Sequence, residues 1–144
     1  MKRVTSERAV FDASALVRGV LGGDASAAAW LDAAADQRLR ASAPDLVFAE
    51  LANTLGVHVR AGVLGREQAR ARLRSLRALP LEIVPTSILA ESALDVALSS
   101  GLSAYDACYA ALAEASDAVL VTADARLAAA VPRSALLPTA APPA

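Results

Sequence analysis

Cysteine, histidine and lysine each occur once in this chain, as Cys108, His58 and Lys2, and aromatic residues make up only 3% of it. One cysteine excludes an intramolecular disulfide and fits a reducing, cytoplasmic setting. With so few aromatics, a base-stacking platform for single-stranded nucleic acid is not expected. The net charge of −1 gives no global basic field that would advertise a polyanionic partner. The opening MKRVTSER lacks an apolar core, so no secretory signal is expected. No window of about 18 residues is both uncharged and strongly apolar, so no membrane span is expected either.

What the chain has in excess is alanine, which supplies much of its 56% hydrophobic content. Alanine favours helix. The 144 residues fit one domain, and a domain of that size buries roughly 68–70% of its unfolded surface. All basic residues but Lys2 are arginine, a bias that, with the alanine, suggests a GC-rich bacterial genome. Residues 1–7 read as frayed and 139–144 as a disordered Pro/Ala tail, leaving 1–138 as a single domain.

Strands are expected at 8–11, 39–43, 81–84 and 118–121, with a short edge strand at Leu136-Leu137. Helices are expected at 15–21, 25–36, 45–60, 66–79, 86–98, 103–115 and 124–130. Pro44 is placed in the first turn of its helix, and Thr86 or Ser87 as a cap. Gly101 stops the helix before it. Strands alternating with helices imply an α/β fold, a parallel sheet of about five strands covered on both faces.

Within that pattern four carboxylates stand out. Asp12 ends the apolar run Ala9-Val10-Phe11, at a strand's carboxyl end, where open α/β sheets bind ligands. An Asx turn would also place an aspartate there, and Ser14 is spaced to orient a carboxylate or a water. Glu50 lies in the apolar stretch PDLVFAELANTLGV and shares a face with Asn53. A buried carboxylate there needs a partner, because an unpaired buried charge costs several kcal/mol. Asp106 completes S-x-x-D with Ser103, a capping-box variant. Asp124 follows the strand VLV and Thr122, again at a carboxyl end, although an N-cap of the last helix would also place an aspartate there. Asp117 precedes its strand and is excluded. Clustered carboxylates about 4 Å apart repel by roughly 4 kcal/mol at an effective dielectric of 20, so several together demand protons or a cation. An all-oxygen set suits magnesium, with manganese able to substitute, better than zinc.

The segments VFDASAL (10–16), PDLVFAELANTL (44–55), LSAYDACYAALAE (102–114) and VLVTADARLA (119–128) resemble, in order, those of PIN-domain ribonucleases, most closely the VapC-type toxins of bacterial toxin–antitoxin pairs. The resemblance implies a PIN-like three-layer α/β/α fold and a magnesium-dependent endoribonuclease. It implies Asp12 and Asp106 as direct metal ligands, with Glu50 and Asp124 completing the site or acting through water. Thr122 corresponds to the residue that supports the site beside the fourth acid. A metal-activated water would attack the scissile phosphodiester, so neither His58 nor Cys108 is needed. An RNA substrate, a cognate antitoxin, a homodimer and no membrane are implied as well.

One further feature is a stripe of Arg66, Arg70, Arg74 and Arg77 at i, i+4, i+8 and i+11, opposite Ala69, Leu73 and Leu76. It reads as a solvated face, an RNA phosphate ridge or a surface for an antitoxin's carboxylates. The rival functions are a non-catalytic PIN-like interaction module and a structure-specific DNA nuclease. Phosphotransfer domains are disfavoured by the lack of a late lysine. A dinucleotide-binding fold is disfavoured by the lack of G-x-G-x-x-G after the first strand.

Overall fold

The computed structural model describes residues 7–138 and 142. The expectations for 1–6, and for the tail at 139–141 and 143–144, lie outside the described residues. The chain enters through β1 (Arg8–Phe11), whose Ala9, Val10 and Phe11 are fully buried. Asp12 then caps α1 (Ala13–Leu21), and Asp24 caps α2 (Ala25–Ala35). Trp30 of α2 meets Phe11 edge-on, ring centroids 6.2 Å apart, an arrangement suited to the aromatic quadrupole. The two helices pack closely because Gly19 faces Leu31. A Cβ at Gly19 would come within 2.6 Å of the leucine methyls.

The chain continues through β2 (Arg40–Pro44), α3 (Val47–Arg60), α4 (Arg66–Arg77) and β3 (Leu81–Val84). Next come α5 (Thr86–Ser100), α6 (Ala104–Ala115), β4 (Val119–Thr122), α7 (Ala125–Ala129) and β5 (Ser134–Leu136). The sheet order is β3-β2-β1-β4-β5, and every pair is parallel. Helices cover both faces, giving the expected three layers, with a sheet wholly rather than mostly parallel.

Local chemistry moved several boundaries. Pro44 does not open a helix. It ends β2, paired with Val84, a strand-terminal place that its missing N–H tolerates. The helix after it starts only at Val47, and Asp45 instead accepts a hydrogen bond from Thr86 N–H at 3.0 Å. Neither Thr86 nor Ser87 caps α5; Pro85 occupies the N-cap. Gly101 ends that helix as expected, at φ +75°, a left-handed conformation that glycine adopts without strain. Helix α4 stops at Arg77, two residues early, and β5 starts at Ser134, earlier than the Leu136-Leu137 pair.

The strand order reverses at β1 and β4, which lie side by side. Such a switch point opens a crevice beyond the carboxyl ends of the strands. Asp12 follows one of these strands and Asp124 the other. Among the described residues, no helix is long and apolar enough to cross a membrane.

Candidate acidic site at the carboxyl edge of the sheet

Each of the four acids sits at the start of a helix. Asp12 is the N-cap of α1 and Asp124 that of α7, while Glu50 and Asp106 lie in the first turns of α3 and α6. The partial positive charge of a helix N-terminus favours carboxylates there.

Asp12 is buried at 6% exposure. Its Oδ1 accepts from Ser14 Oγ at 2.6 Å and from Ala15 N–H at 2.9 Å, and its Oδ2 from Thr122 Oγ1 at 2.5 Å. A carboxylate offers about four lone-pair sites, so acceptor capacity remains for one more partner. Ser14 Oγ in turn accepts from Ala123 N–H, and Thr122 Oγ1 accepts from Asp124 N–H. Ser14 and Thr122 thus tie the ends of β1 and β4 together through Asp12.

Glu50 is half-buried and accepts from the Tyr109 hydroxyl at 2.9 Å. Asp106 donates its backbone N–H to Ser103 Oγ at 3.2 Å, the expected cap. Asp124 uses Oδ1 to accept from Arg126 and Leu127 N–H. Asn53 is exposed, one turn beyond Glu50, and makes no hydrogen bond to these carboxylates.

Burial pushes the Asp12 carboxyl above its ordinary value against the pull of its three hydrogen bonds, and the charge of Asp124 adds to the rise. Burial also raises Glu50; its bond to Tyr109 opposes this, while Asp106 and Asp12 add repulsion. Asp106 is raised by burial and then by Asp124, against Ser103 and the nearby Arg126. The four carboxylates therefore act on one another across a single crevice. Among the described residues, no three His, Cys, Asp or Glu side chains are gathered tightly enough to form a metal cage. A tight four-acid shell around one ion is thus not what these side chains form. The donor set still fits magnesium, which commonly takes one or two carboxylates and keeps several waters.

Sequence reasoning passed over two neighbours. Tyr109 is 1% exposed and stands three residues after Asp106, on the same helical face. That spacing was the available signal. Arg126 lies two residues after Asp124, and only the folded chain brings it near Asp106. His58 bonds to Thr54 O in its own helix, and Cys108 is buried. Asp117 pairs with Arg133 at 3.0 Å, outside the crevice.

Arg66 and Arg70 border a groove of about 330 Å³ between α3 and α4, floored by Leu55, Val59, Ala69 and Leu73. Arg74 and Arg77 are exposed on the same helix but do not line it.

A parallel α/β/α sandwich with acids at the carboxyl edge of its switch point defines a class of ligand-binding and hydrolytic folds. Within that class the chain belongs to the PIN domain family, whose model matches residues 9–131. It is 40% identical over 88 residues to Ribonuclease VapC9 of Mycobacterium tuberculosis, covering 61% of this chain and 68% of that protein. PAE2754 from Pyrobaculum aerophilum shares the fold at a TM-score of 0.71 and 30% identity, covering 90% of this chain and 83% of that one. The VapBC2 structure from Rickettsia felis, bound to a DNA fragment from its promoter, matches in fold. Its TM-score is 0.63 at 18% identity, over 90% of this chain and 98% of that one.

Proposed function

We propose that this protein is a metal-dependent endoribonuclease, the toxin of a toxin–antitoxin pair, hydrolysing RNA phosphodiester bonds at the acidic crevice. The observation that carries this reading is Asp12. It is a buried carboxylate held by three donors, repelled by a second acid, and set at the switch point of a PIN-domain sheet. The 40% identity to a protein named a ribonuclease supports the RNA substrate. Asp12 and Asp106 are assigned as magnesium ligands, with Glu50 and Asp124 acting directly or through water. When bound, the ion lowers the pKa of a water and offsets charge on the leaving oxygen.

The chain's own residues do the rest. Ser14, Thr122 and the Ala15 amide hold Asp12 rigid, so that its remaining acceptor direction is pre-set. Tyr109 fixes one Glu50 oxygen and leaves the other free. The helix N-termini limit the repulsion among the acids before an ion arrives.

A cognate antitoxin is assigned to the groove between α3 and α4, where an apolar floor beside Arg66 and Arg70 suits an acidic amphipathic helix better than bare phosphate. That solved structures of toxin–antitoxin complexes share the fold supports such a partner. Exposed Ile88, Leu94 and Leu98 of α5, with Tyr105 of α6, support a homodimer.

The test is cleavage of a mixed panel of RNAs and DNAs with magnesium, with chelator, and with Asp12→Asn. RNA cleavage is expected with magnesium alone and absent in the other two arms. Equal cleavage by Asp12→Asn removes the catalytic assignment, and cleavage of DNA but not RNA moves the enzyme to the rival nuclease class.

A further inference from the structure

Arg126 is exposed and lies close enough to Asp106 for its charge to favour that carboxylate's ionised form. Its backbone is tied to the crevice floor by a continuous chain of hydrogen bonds. Thr122 Oγ1 donates to Asp12 Oδ2 at 2.5 Å and accepts from Asp124 N–H at 2.9 Å. Asp124 Oδ1 then accepts from Arg126 N–H at 2.9 Å. Its guanidinium forms no ion pair within 4.0 Å among the described residues, although its charge reaches Asp106. An arginine fixed at its base, with its five donors uncommitted, fits the bidentate geometry of a phosphate. The carboxylates around it repel an anionic backbone, and a cation beside them offsets that repulsion.

We propose that Arg126 anchors a backbone phosphate of the RNA beside the scissile bond. This rests on the ribonuclease reading above. Holding a phosphate that does not change during the reaction adds binding energy equally to ground and transition states, which appears in KM.

The experiment compares wild type, Arg126→Ala and Arg126→Lys in three measurements. In steady-state cleavage with magnesium, Arg126→Ala raises KM about tenfold with kcat nearly unchanged, and Arg126→Lys, which keeps charge but not the fork, falls between. In titrations of a short single-stranded RNA with chelator present, the slope of log K against log salt drops by about 1 in Arg126→Ala. In titrations of manganese without RNA, Arg126→Ala binds at least as tightly as wild type, because a nearby positive charge has been removed. An unchanged KM with an unchanged salt slope overturns the assignment. A loss of manganese affinity that parallels a loss of kcat overturns it too, since the arginine would then support the acids rather than the substrate. If wild type cleaves no RNA, the ribonuclease reading falls, while the salt slope in chelator still decides the arginine.

Discussion

The Tyr109 hydroxyl donates to Glu50 from a side chain that is 1% exposed. Burial and the neighbouring Glu50 charge raise its pKa far above the usual phenol range, so it stays a donor at any working pH. Removing such a donor leaves the ring's packing intact and frees the carboxylate. Tyr109→Phe is therefore expected to lower manganese affinity and kcat by about 10–100-fold, the usual consequence of losing a partner that orients a ligand. KM for RNA should change little. The check is a manganese titration beside steady-state kinetics, and normal metal affinity with normal kcat would show Glu50 needs no orientation. At this scale the sequence was informative where an acid followed an apolar run, as at Asp12 and Asp124. About Tyr109 it offered only the three-residue spacing from Asp106, because a tyrosine in an alanine-rich helix reads as core until a carboxylate 59 positions away is folded against it.

Elements were legible wherever a side chain met its own backbone. Asp24, Ser103 and Asp124 cap the helices they precede, and Gly101 ends one with a left-handed residue. Boundaries shifted where a distant strand intervened. Pro44 looks like a helix-opening residue in isolation, yet pairing with Val84 extends β2 through it. The arginine row was visible as a stripe, but its division was not. The fold puts Arg66 and Arg70 against α3 and leaves Arg74 and Arg77 on the open face. That division makes a prediction about elements. Reversing charge in Arg66→Glu with Arg70→Glu would place like charges against the acidic helix proposed for the antitoxin, and is expected to weaken binding of a cognate antitoxin by about tenfold or more. The salt slope of RNA binding should stay as in wild type. Unchanged antitoxin affinity with a reduced RNA slope would turn α4 into a phosphate ridge instead.

At the scale of the whole molecule, the raised acids make stability depend on pH, and the proposed metal site would make it depend on a cation as well. Asp12, Glu50 and Asp106 all have folded pKa values above their ordinary ones, chiefly through burial. Between the unfolded and folded values the native chain therefore binds more protons than the unfolded chain, and stability falls as pH rises through that window. Without metal, Tm should climb as pH is lowered from the alkaline side towards about 5, where unfolded carboxylates begin to titrate. A divalent cation held as proposed would reverse the preference, because it would bind the ionised acids of the native state alone. At a hundredfold excess over its dissociation constant it adds about 2.7 kcal/mol, which is several degrees in Tm for a domain of this size. The gain should be largest at the alkaline end and vanish as the acids protonate. Thermal unfolding across pH, with chelator and with manganese, in wild type and Asp12→Asn, measures both effects. The manganese gain should be lost in Asp12→Asn. A chelated Tm that rises with pH would mean that burial does not raise these carboxyls, and equal manganese stabilisation in both proteins would mean that Asp12 does not hold the ion.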